Sequence, residues 1–550
     1  MKHLLFIFLF AVIGISVKAQ TPTVGLIQHT SGSNDNGYVL FSPMQAPGTF
    51  LIDKCGNLIH KWTTSYLPGL AGYLLPDGTL LKAGKYTNPV FPGITGGIIQ
   101  TYDWNSTLLW SFVFSDSIQS QAHDITYMPN GNILLVVWEN ILLSEAIANG
   151  RDSSNVTGSS IYCPKIVEIQ PSGTSANIVW QWRLMDHLIQ DFDSAKPNYG
   201  VVANHPELVN FNFVPLPTDD WIHFNEVNYN PVLNQLVLGA HNLSEIWIID
   251  HSTTKAEAAQ HTGGLHNKGG DLLYRWGNPQ AYNRGTATDQ RLFYVHNPNW
   301  IQSGYRFQNQ LMMFNNGTNR PSGNLSSVDI VIPPVDSSGN YFLASGAAFG
   351  PDSAVWSYMS PNFYSNNLGS TQMLDNGNVS ICEGGSGVLF EIDSLKNMVW
   401  DYVNPVGNTG PVSQGTTAVN NQLYKCIFYP SNYSGFAGHS ITAGAPIEHN
   451  PYPSTCSIIT TQVDNTISES TISIFPNPSS AIFTIDSNYN QQTSTNDQII
   501  ITNSIGEVVY QTTINSKQSI INLSSQPNGI YFIKLKTAKN IYIKKLVLQN

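Results

Sequence analysis

A repeated unit constrains the fold of this 550-residue chain more than any other sequence feature. In each unit an apolar strand with a tight turn precedes strands of alternating polarity, the last of which ends in a tryptophan. The clearest turns lie at residues 74–81, 128–134 and 374–379, where Asp-Gly or Asn-Gly supplies the positive φ that two-residue hairpins need. Six units can be traced in this way. Their closing tryptophans are Trp62, Trp110, Trp182, Trp276, Trp356 and Trp400.

Six such units predict an all-β fold, a six-bladed β-propeller with one four-stranded sheet per unit. An indole at the same place in every unit indicates packing between blades rather than ligand binding. Three long insertions, residues 139–162, 184–220 and 251–271, are rich in polar and small residues. Loops of this kind gather on one face of a propeller, so we expect a functional site there.

The two ends of the chain differ from the repeats. Residues 1–19 combine a basic start, an apolar run and a terminal Ala19, which is typical of a secretory signal peptide. No later segment has the roughly 18–20 consecutive apolar residues of a membrane helix, so no transmembrane helix is expected. After a propeller at residues 20–464, about seven short strands without tryptophan predict a small C-terminal β-sandwich at residues 465–550.

The net charge of the chain limits the kinds of ligand that it can attract. The chain carries 36 acidic and 25 basic residues, a net charge of -11, and only 11% of its residues are charged. Such a chain has no diffuse basic field to attract nucleic acid or an anionic membrane. Any anion must therefore be held by a local site.

The five cysteines contain no CxxC pair and suggest no zinc knuckle. In an oxidising compartment Cys426 and Cys456 are close enough in sequence for a disulfide that closes the large domain. The alternative is five buried, unreactive thiols.

The C-terminal segment resembles the type A C-terminal sorting domain of type IX secretion. The matching pieces are Pro-Asn-Pro at residues 476–478, the turn at residues 505–509, the strand at residues 529–532 and the basic pair Lys544 and Lys545. This resemblance implies export through the type IX machinery to a secreted or cell-surface location, followed by removal of the tail. The alternative is an ordinary accessory β-sandwich.

The propeller resembles the arylsulfotransferase (aryl-sulfate sulfotransferase) family, whose members use no nucleotide sulfate donor. The pieces that carry this resemblance lie in order, at residues 121–124, 221–225, 271–279, 295–297, 314–320 and 376–384. The resemblance implies transfer of a sulfuryl group from a phenolic sulfate to a phenol through a sulfated histidine. Neither a cofactor nor a metal is expected.

Three histidines recur near the beginning of the innermost strand of successive units. His123, His223 and His296 should therefore point toward one axis, and Arg320 follows nearby in the chain. Imidazoles can attack, accept or donate protons, and a guanidinium binds pairs of sulfate oxygens. These four are the predicted catalytic residues. The neighbouring Asn225, Asn297 and Asn316 are predicted to bind substrate.

The identity of the nucleophile stays open. In the family a histidine from a later blade takes the sulfate, and residues 363–383 contain none. His296 or His439 can substitute, or transfer can be direct or lost. The competing hypothesis is a non-catalytic surface propeller that binds a glycan or peptide.

Overall fold

The computed structural model describes most of the chain, which divides into two compact units, residues 1–460 and 461–550. The described residues are 21–213, 218–454, 456, 472–487, 498–503, 508–513, 518–536 and 541–549. The predicted signal peptide, the boundary near residue 465 and residues 505–507 of the sorting-domain motif lie outside them.

The described part of the first unit contains six antiparallel sheets of four or more strands, which we number 1 to 6. A single added strand, β1 (Gly25–His29), pairs with the outer edge of sheet 6, and the first sheet is completed by a strand from residues 423–430. The all-β prediction is confirmed.

Sheets 1 to 3 each have four strands. Sheet 1 contains β2 (Gly37–Pro43), β3 (Gly48–Ile52), β4 (Leu58–Thr63) and β29 (Leu423–Pro430); sheet 2 contains β5 (Pro68–Leu74), β6 (Leu80–Lys85), β7 (Gly97–Tyr102) and β8 (Leu108–Val113); sheet 3 contains β9 (Gln119–Tyr127), β10 (Ile133–Leu142), β11 (Ser160–Ser172) and β12 (Ser175–Arg183).

Sheets 4 to 6 repeat the plan. Sheet 4 contains β15 (Phe224–Asn230), β16 (Gln235–Ala240), β17 (Glu245–Asp250) and β18 (Tyr274–Trp276); sheet 5 contains β19 (Val295–Trp300), β20 (Leu311–Asn315), β21 (Ser327–Val331) and β22 (Trp356–Met359); sheet 6 contains β23 (Ser370–Met373), β24 (Val379–Glu383), β25 (Val388–Ile392) and β26 (Met398–Val403).

The edge strands β5, β9, β15, β19, β23 and β29, which we call the inner strands, contact one another in a closed ring. Each is joined to its sheet by antiparallel pairing with the next strand of that sheet. The closing strand β29 pairs with β2, so the end of the first unit is hydrogen-bonded to its beginning.

Short elements fill the connections. Two small pairs are β13 (Leu188–Ile189) with β14 (Val209–Asn210), and β27 (Val406–Gly407) with β28 (Gly410–Pro411). The described helices are α1 (Leu143–Ala148) and the single 3-10 turns Ser153–Asn155, Leu184–Asp186, Val202–Asn204, His241–Leu243, Glu257–Ala259, Pro279–Tyr282, Ala287–Asp289 and Ser434–Phe436. None of these helices has the length and apolar character needed to cross a membrane.

The six unit-closing tryptophans all lie on the last strand of their sheets. Five of the indoles donate a hydrogen bond to a backbone carbonyl of the following sheet, which ties neighbouring sheets together. The pairs are Trp62 with Asp103, Trp110 with Ser175, Trp182 with Gly270, Trp276 with Pro351, and Trp400 with Lys54.

The second unit has two antiparallel sheets around one cluster of buried apolar side chains. The first sheet contains β30 (Ile472–Phe475), β31 (Ile482–Ser487) and β34 (Gln518–Asn522); the second contains β32 (Gln498–Asn503), β33 (Val508–Thr513), β35 (Gly529–Lys536) and β36 (Ile541–Leu548).

The predicted Cys426–Cys456 disulfide is wrong. Cys456 is bonded to Cys55, which lies just after β3. Cys426 lies on the closing strand with its thiol buried beside Ser380, so it faces the sheet interior and cannot reach Cys456. The bridge joins the end of the first unit to sheet 1, as the closing strand does.

Candidate active site

The site begins with an irregularity shared by the inner strands. Five of the six have a β-bulge or register shift against the adjoining strand of their sheet. A bulge inserts an extra residue and re-aims the side chains around it. His123 and Asn297 have positive φ within their bulges, and His223, immediately before β15, also has positive φ. Non-glycine residues rarely adopt this conformation, and it is concentrated at functional sites.

Four histidines from sheets 3, 4 and 5 meet beside these strands. Ring centroids are 4.5 Å apart for His123 and His223, 5.2 Å for His223 and His241, and 4.7 Å for His241 and His296. We call these four residues the histidine cluster. The structure thus brings together three of the four residues predicted to be catalytic, and adds His241.

His223 differs from the other three in exposure and in its partner. Its Nδ1 lies 2.5 Å from Oδ2 of Asp220, and 22% of its side chain is exposed. A carboxylate can only accept, so Nδ1 carries the proton and the lone pair of the neutral ring lies on Nε2. A carboxylate in this position fixes the tautomer and the orientation of the imidazole.

His296 has the same tautomer for a different reason. Its Nδ1 donates to the amide oxygen of Asn316 at 2.7 Å, and its Nε2 accepts a long hydrogen bond of 3.3 Å from the backbone N–H of Leu368. Burial lowers the pKa of His296 to about 3, with a further contribution from the nearby His223. Its ring is therefore neutral at neutral pH.

Burial also lowers the pKa of His123 and His241 well below the usual value, and the other histidines of the cluster add to the shift. His241 donates from Nδ1 to the carbonyl of Val295 at 3.1 Å. Nδ1 of His123 is buried without a hydrogen-bond partner among the described residues. A buried nitrogen of this kind is costly unless a ligand uses it.

An aromatic wall adjoins the cluster. The Trp138 ring lies 5.3 Å from His223 and 5.7 Å from His123, and it stacks on Tyr162 at 5.6 Å. Tyr294 lies 4.9 Å from His241 on another side. Flat apolar surfaces beside imidazoles suit an aromatic ligand.

A buried charge network occupies the inner-strand bulges next to the cluster. Nζ of Lys425 contacts Asp124 Oδ1 at 3.2 Å, Glu226 Oε1 at 2.7 Å and the Tyr73 hydroxyl at 2.7 Å. The Tyr424 hydroxyl donates to Glu226 Oε2 at 2.8 Å, and the Tyr424 ring lies 6.3 Å from that of His296. The network and the histidine cluster are therefore in contact.

One cation shared by two carboxylates governs the protonation of this network. Burial, and then the charge of Asp124, raise the pKa of Glu226. Burial disfavours the charged form of Lys425, but Asp124 and Glu226 outweigh it and raise the pKa of the lysine. Glu226 and Lys425 also line a cavity of about 530 Å³ formed by the later parts of the inner strands, together with Tyr305.

The three predicted substrate-binding asparagines have protein partners. Asn225 donates to the carbonyl of Val295, and Asn297 donates to Glu226. Asn316 accepts from His296 and donates to two backbone carbonyls. The Asn225 Oδ1 is buried without a partner in the described part of the chain. Their amides mainly orient the site's own residues.

Arg320 lies apart from the ring contacts of the cluster. Its guanidinium donates to the hydroxyl of Ser327 at 3.0 Å and lies 5.2 Å from the Phe293 ring. Its Nε is buried and has no partner among the described residues. The contacts link Arg320 to the cluster indirectly. Arg320 lies over the Phe293 ring, and the next residue along the chain, Tyr294, contacts His241.

Sequence reasoning missed two members of the site. His241 follows β16, the second strand of sheet 4, so the recurrence along inner strands does not include it. Asp220 lies three residues before His223, and this short spacing could have indicated from the sequence that the two side chains pair. His439, an alternative nucleophile by sequence, stacks on Trp104 at 4.2 Å instead.

Solved structures with partial similarity share little sequence with the chain. A protein of unknown function from Bacteroides caccae is 11% identical to this chain, with a TM-score of 0.35. The match covers 66% of this chain and 93% of that protein. A catalytically inactive virginiamycin B lyase from Staphylococcus aureus with quinupristin is 10% identical with a TM-score of 0.33, covering 71% and 91%. A search of curated proteins gave no significant match.

Two family models match the sequence. The Secretion system C-terminal sorting domain matches residues 473–549, which indicates a secreted or cell-surface protein. The Arylsulfotransferase (ASST) model matches residues 93–422, more than half of the chain and the part that contains the whole histidine cluster. Both resemblances seen in the sequence are confirmed. The chain belongs to the arylsulfotransferase family.

Proposed function

We propose that the protein is an exported aryl-sulfate sulfotransferase whose histidine cluster moves a sulfuryl group from a phenolic sulfate ester to a phenol, without a nucleotide donor. The observation that carries this proposal is the cluster itself: four imidazoles in ring contact, three of them buried and neutral, beside an aromatic wall. Neutral imidazoles are nucleophiles and bases at neutral pH.

The architecture proposed for this function is a six-bladed propeller at residues 20–464, one blade per sheet, with the inner strands around the axis. The closed ring of inner-strand contacts and the indole bonds between successive sheets support it. We propose a signal peptide at residues 1–19 and a β-sandwich at residues 465–550 that serves as the type IX sorting domain. The tail's partner is then the type IX secretion machinery.

His223 is the proposed nucleophile. Its Nε2 lone pair attacks the sulfur of the donor; the N–S bond forms as the S–O bond to the phenol breaks, which leaves a sulfated histidine and a phenoxide. The ring gains positive charge in this step, and the carboxylate of Asp220 on Nδ1 stabilises that charge. His223 is also the most exposed member of the cluster, so a donor can reach it.

His296 is the proposed proton carrier. A bound sulfate ester adds a negative charge to the cluster and so favours the protonated form of a neighbouring imidazole. Nε2 of His296 then gives that proton to the leaving phenoxide and later accepts one from the acceptor phenol, which attacks the sulfated His223. Asn316 holds the ring in the required tautomer throughout.

The remaining residues bind the sulfuryl oxygens and the aromatic ring. His123, with its unpaired Nδ1, and Arg320, with its unpaired Nε, are the proposed donors to the oxygens. His241 packs between His223 and His296 and keeps their rings apart at fixed angles. Trp138 and Tyr162 provide the face for the phenolic ring.

The test is a transfer assay with an aryl sulfate as donor and a second phenol as acceptor, using wild type, His223→Ala and Asp220→Asn. The acceptor should accelerate release of the first phenol in the wild type, because it discharges the sulfated enzyme. Each variant should lose about 100-fold or more in turnover, the scale for loss of an acid-base group. Mass spectrometry of enzyme quenched without acceptor should find one added sulfuryl group on His223.

The matched control is His205→Ala. His205 also pairs with a carboxylate, Glu207 at 3.0 Å, but on an exposed loop outside the cluster, and this variant should transfer at the wild-type rate. No transfer by the wild type with several phenolic sulfates would favour the glycan- or peptide-binding propeller. A sulfuryl group on another residue would reject His223 as the nucleophile.

A further inference from the structure

A second group of histidines lies outside the proposed active site, where two insertions meet. His187 follows the 3-10 turn Leu184–Asp186, and His261 and Asp271 belong to the long connection between β17 and β18. Nδ1 of His187 and Nδ1 of His261 each lie 2.8 Å from the same oxygen, Oδ1 of Asp271. The three ligand-type atoms lie within 4.8 Å of one another.

The hydrogen bonds of His187 direct its Nδ1 at the carboxylate of Asp271. Its Nε2 lies 2.9 Å from the carbonyl of Ala258, and since a carbonyl can only accept, Nε2 must carry a proton. In a neutral ring the lone pair is then on Nδ1, which faces the carboxylate oxygen of Asp271. Two lone pairs at 2.8 Å repel each other unless a proton or a metal ion lies between them.

We propose that these three residues bind a divalent metal ion of the zinc type. Imidazole nitrogen and carboxylate oxygen are zinc ligands, and the backbone carbonyl on Nε2 of His187 is the usual outer partner of a metal-binding histidine. With zinc-to-ligand distances of about 2.0–2.2 Å, tetrahedral ligands lie roughly 3.3 Å apart. Each of the two nitrogen-to-oxygen distances, 2.8 Å, needs to lengthen by only about 0.5 Å to reach that spacing.

The surroundings permit this adjustment and the entry of an ion. The His187 ring is fully buried and lies parallel to the Trp182 indole at 5.4 Å, so it is held in place. His261 has 60% of its side chain exposed and lies on a glycine-rich loop, so it can move. A water molecule is the expected fourth ligand. The ion would connect the loop after sheet 3 to the loop within sheet 4.

The sequence predicts no metal, because the ligands come from two segments more than 70 residues apart and form no short motif. The site lies outside the histidine cluster, and its occupancy does not depend on whether the enzyme transfers sulfuryl groups.

The experiment titrates the full chain, purified without a polyhistidine tag and treated with a chelator, with Zn²⁺ alone. Calorimetry should find one tight site per chain, and Co²⁺ in its place should give the visible absorption of a tetrahedral site. His261→Ala removes the exposed ligand without disturbing the buried pair, and it should weaken binding by about 10- to 100-fold or more. His266→Ala, on the same loop but bonded to Asn340, should bind as the wild type does.

His223→Ala is titrated in parallel because the histidine cluster also offers imidazoles to zinc. Tight binding that survives in His223→Ala and is lost in His261→Ala supports the proposal. If the wild type takes up no zinc at micromolar concentration, a proton bridges His187 and Asp271 and the proposal is overturned. Loss in His223→Ala but not in His261→Ala would overturn it as well.

Discussion

Replacing Lys425 with methionine tests whether the buried charge network stabilises the first unit. The side chain of Lys425 is 6% exposed and its ammonium pairs with Asp124 and Glu226, whose side chains are 0% and 3% exposed. Lys425→Met removes the cation and keeps the length of the chain, so two buried carboxylates face each other. Breaking a buried ion pair in this way costs about 3–5 kcal/mol.

The cost should depend on pH with a definite sign. Burial raises the pKa of Glu226 above its usual value of 4.5, so the folded state binds a proton more tightly than the unfolded chain does. Protonation of Glu226 therefore stabilises the folded state fully at pH values below 4.5, and this stabilisation is lost as the pH rises through the raised pKa. Without Lys425 the pKa rises further. Lys425→Met should therefore lose more stability at about pH 8 than at about pH 5.

Urea unfolding followed by tryptophan fluorescence is the assay, since all twelve tryptophans lie in the first unit. Lys255→Met, at an exposed lysine, is the control and should stay within about 0.5 kcal/mol of the wild type. Adding Glu226→Gln to Lys425→Met should recover part of the loss, because the amide needs no counter-ion. A variant as stable as the wild type, or equally destabilised at both pH values, would refute the reasoning.

Three further predictions concern activity, thiols and processing. His296→Ala and Arg320→Ala should each lower turnover about 100-fold in the transfer assay while the protein remains folded in the absence of urea. Alkylation of the denatured protein should label three cysteines before reduction and five after it, the extra two being Cys55 and Cys456. Intact mass of the exported protein should place its C-terminus near residue 465; a retained tail would contradict the sorting-domain interpretation.

The parts of the fold that repeat along the chain were predicted from the sequence, because repetition makes a pattern recognisable. Each of the six tryptophans ends a four-strand unit, and a feature that recurs six times can be recognised even where single copies are degenerate. His123, His223 and His296 were found through the same recurrence. The all-β class followed from it, whereas the two family resemblances rested on short motifs, such as Pro-Asn-Pro at residues 476–478 in the tail.

Contacts that occur only once in the fold could not be predicted from repetition. Cys55 and Cys456 are separated by 401 residues, and only the return of the chain to sheet 1 makes them neighbours. His241 reaches the cluster from the end of a second strand, and the two carboxylates that pair with Lys425 come from two other inner strands. The number of residues between two positions does not predict such contacts, because the contacts form only when the ring of sheets closes.

The inner-strand bulges explain how a regular fold produces an irregular site. In an undistorted strand side chains alternate between the two faces of the sheet, so His123 and Asp124 would point to opposite sides. The bulge, with positive φ at His123, lets the imidazole join the histidine cluster while the next residue, Asp124, reaches Lys425. The same device operates in β15, where Glu226 lies within the bulge. Straightening these strands would improve their pairing and separate the residues that the proposed chemistry needs, which is why strain is retained there.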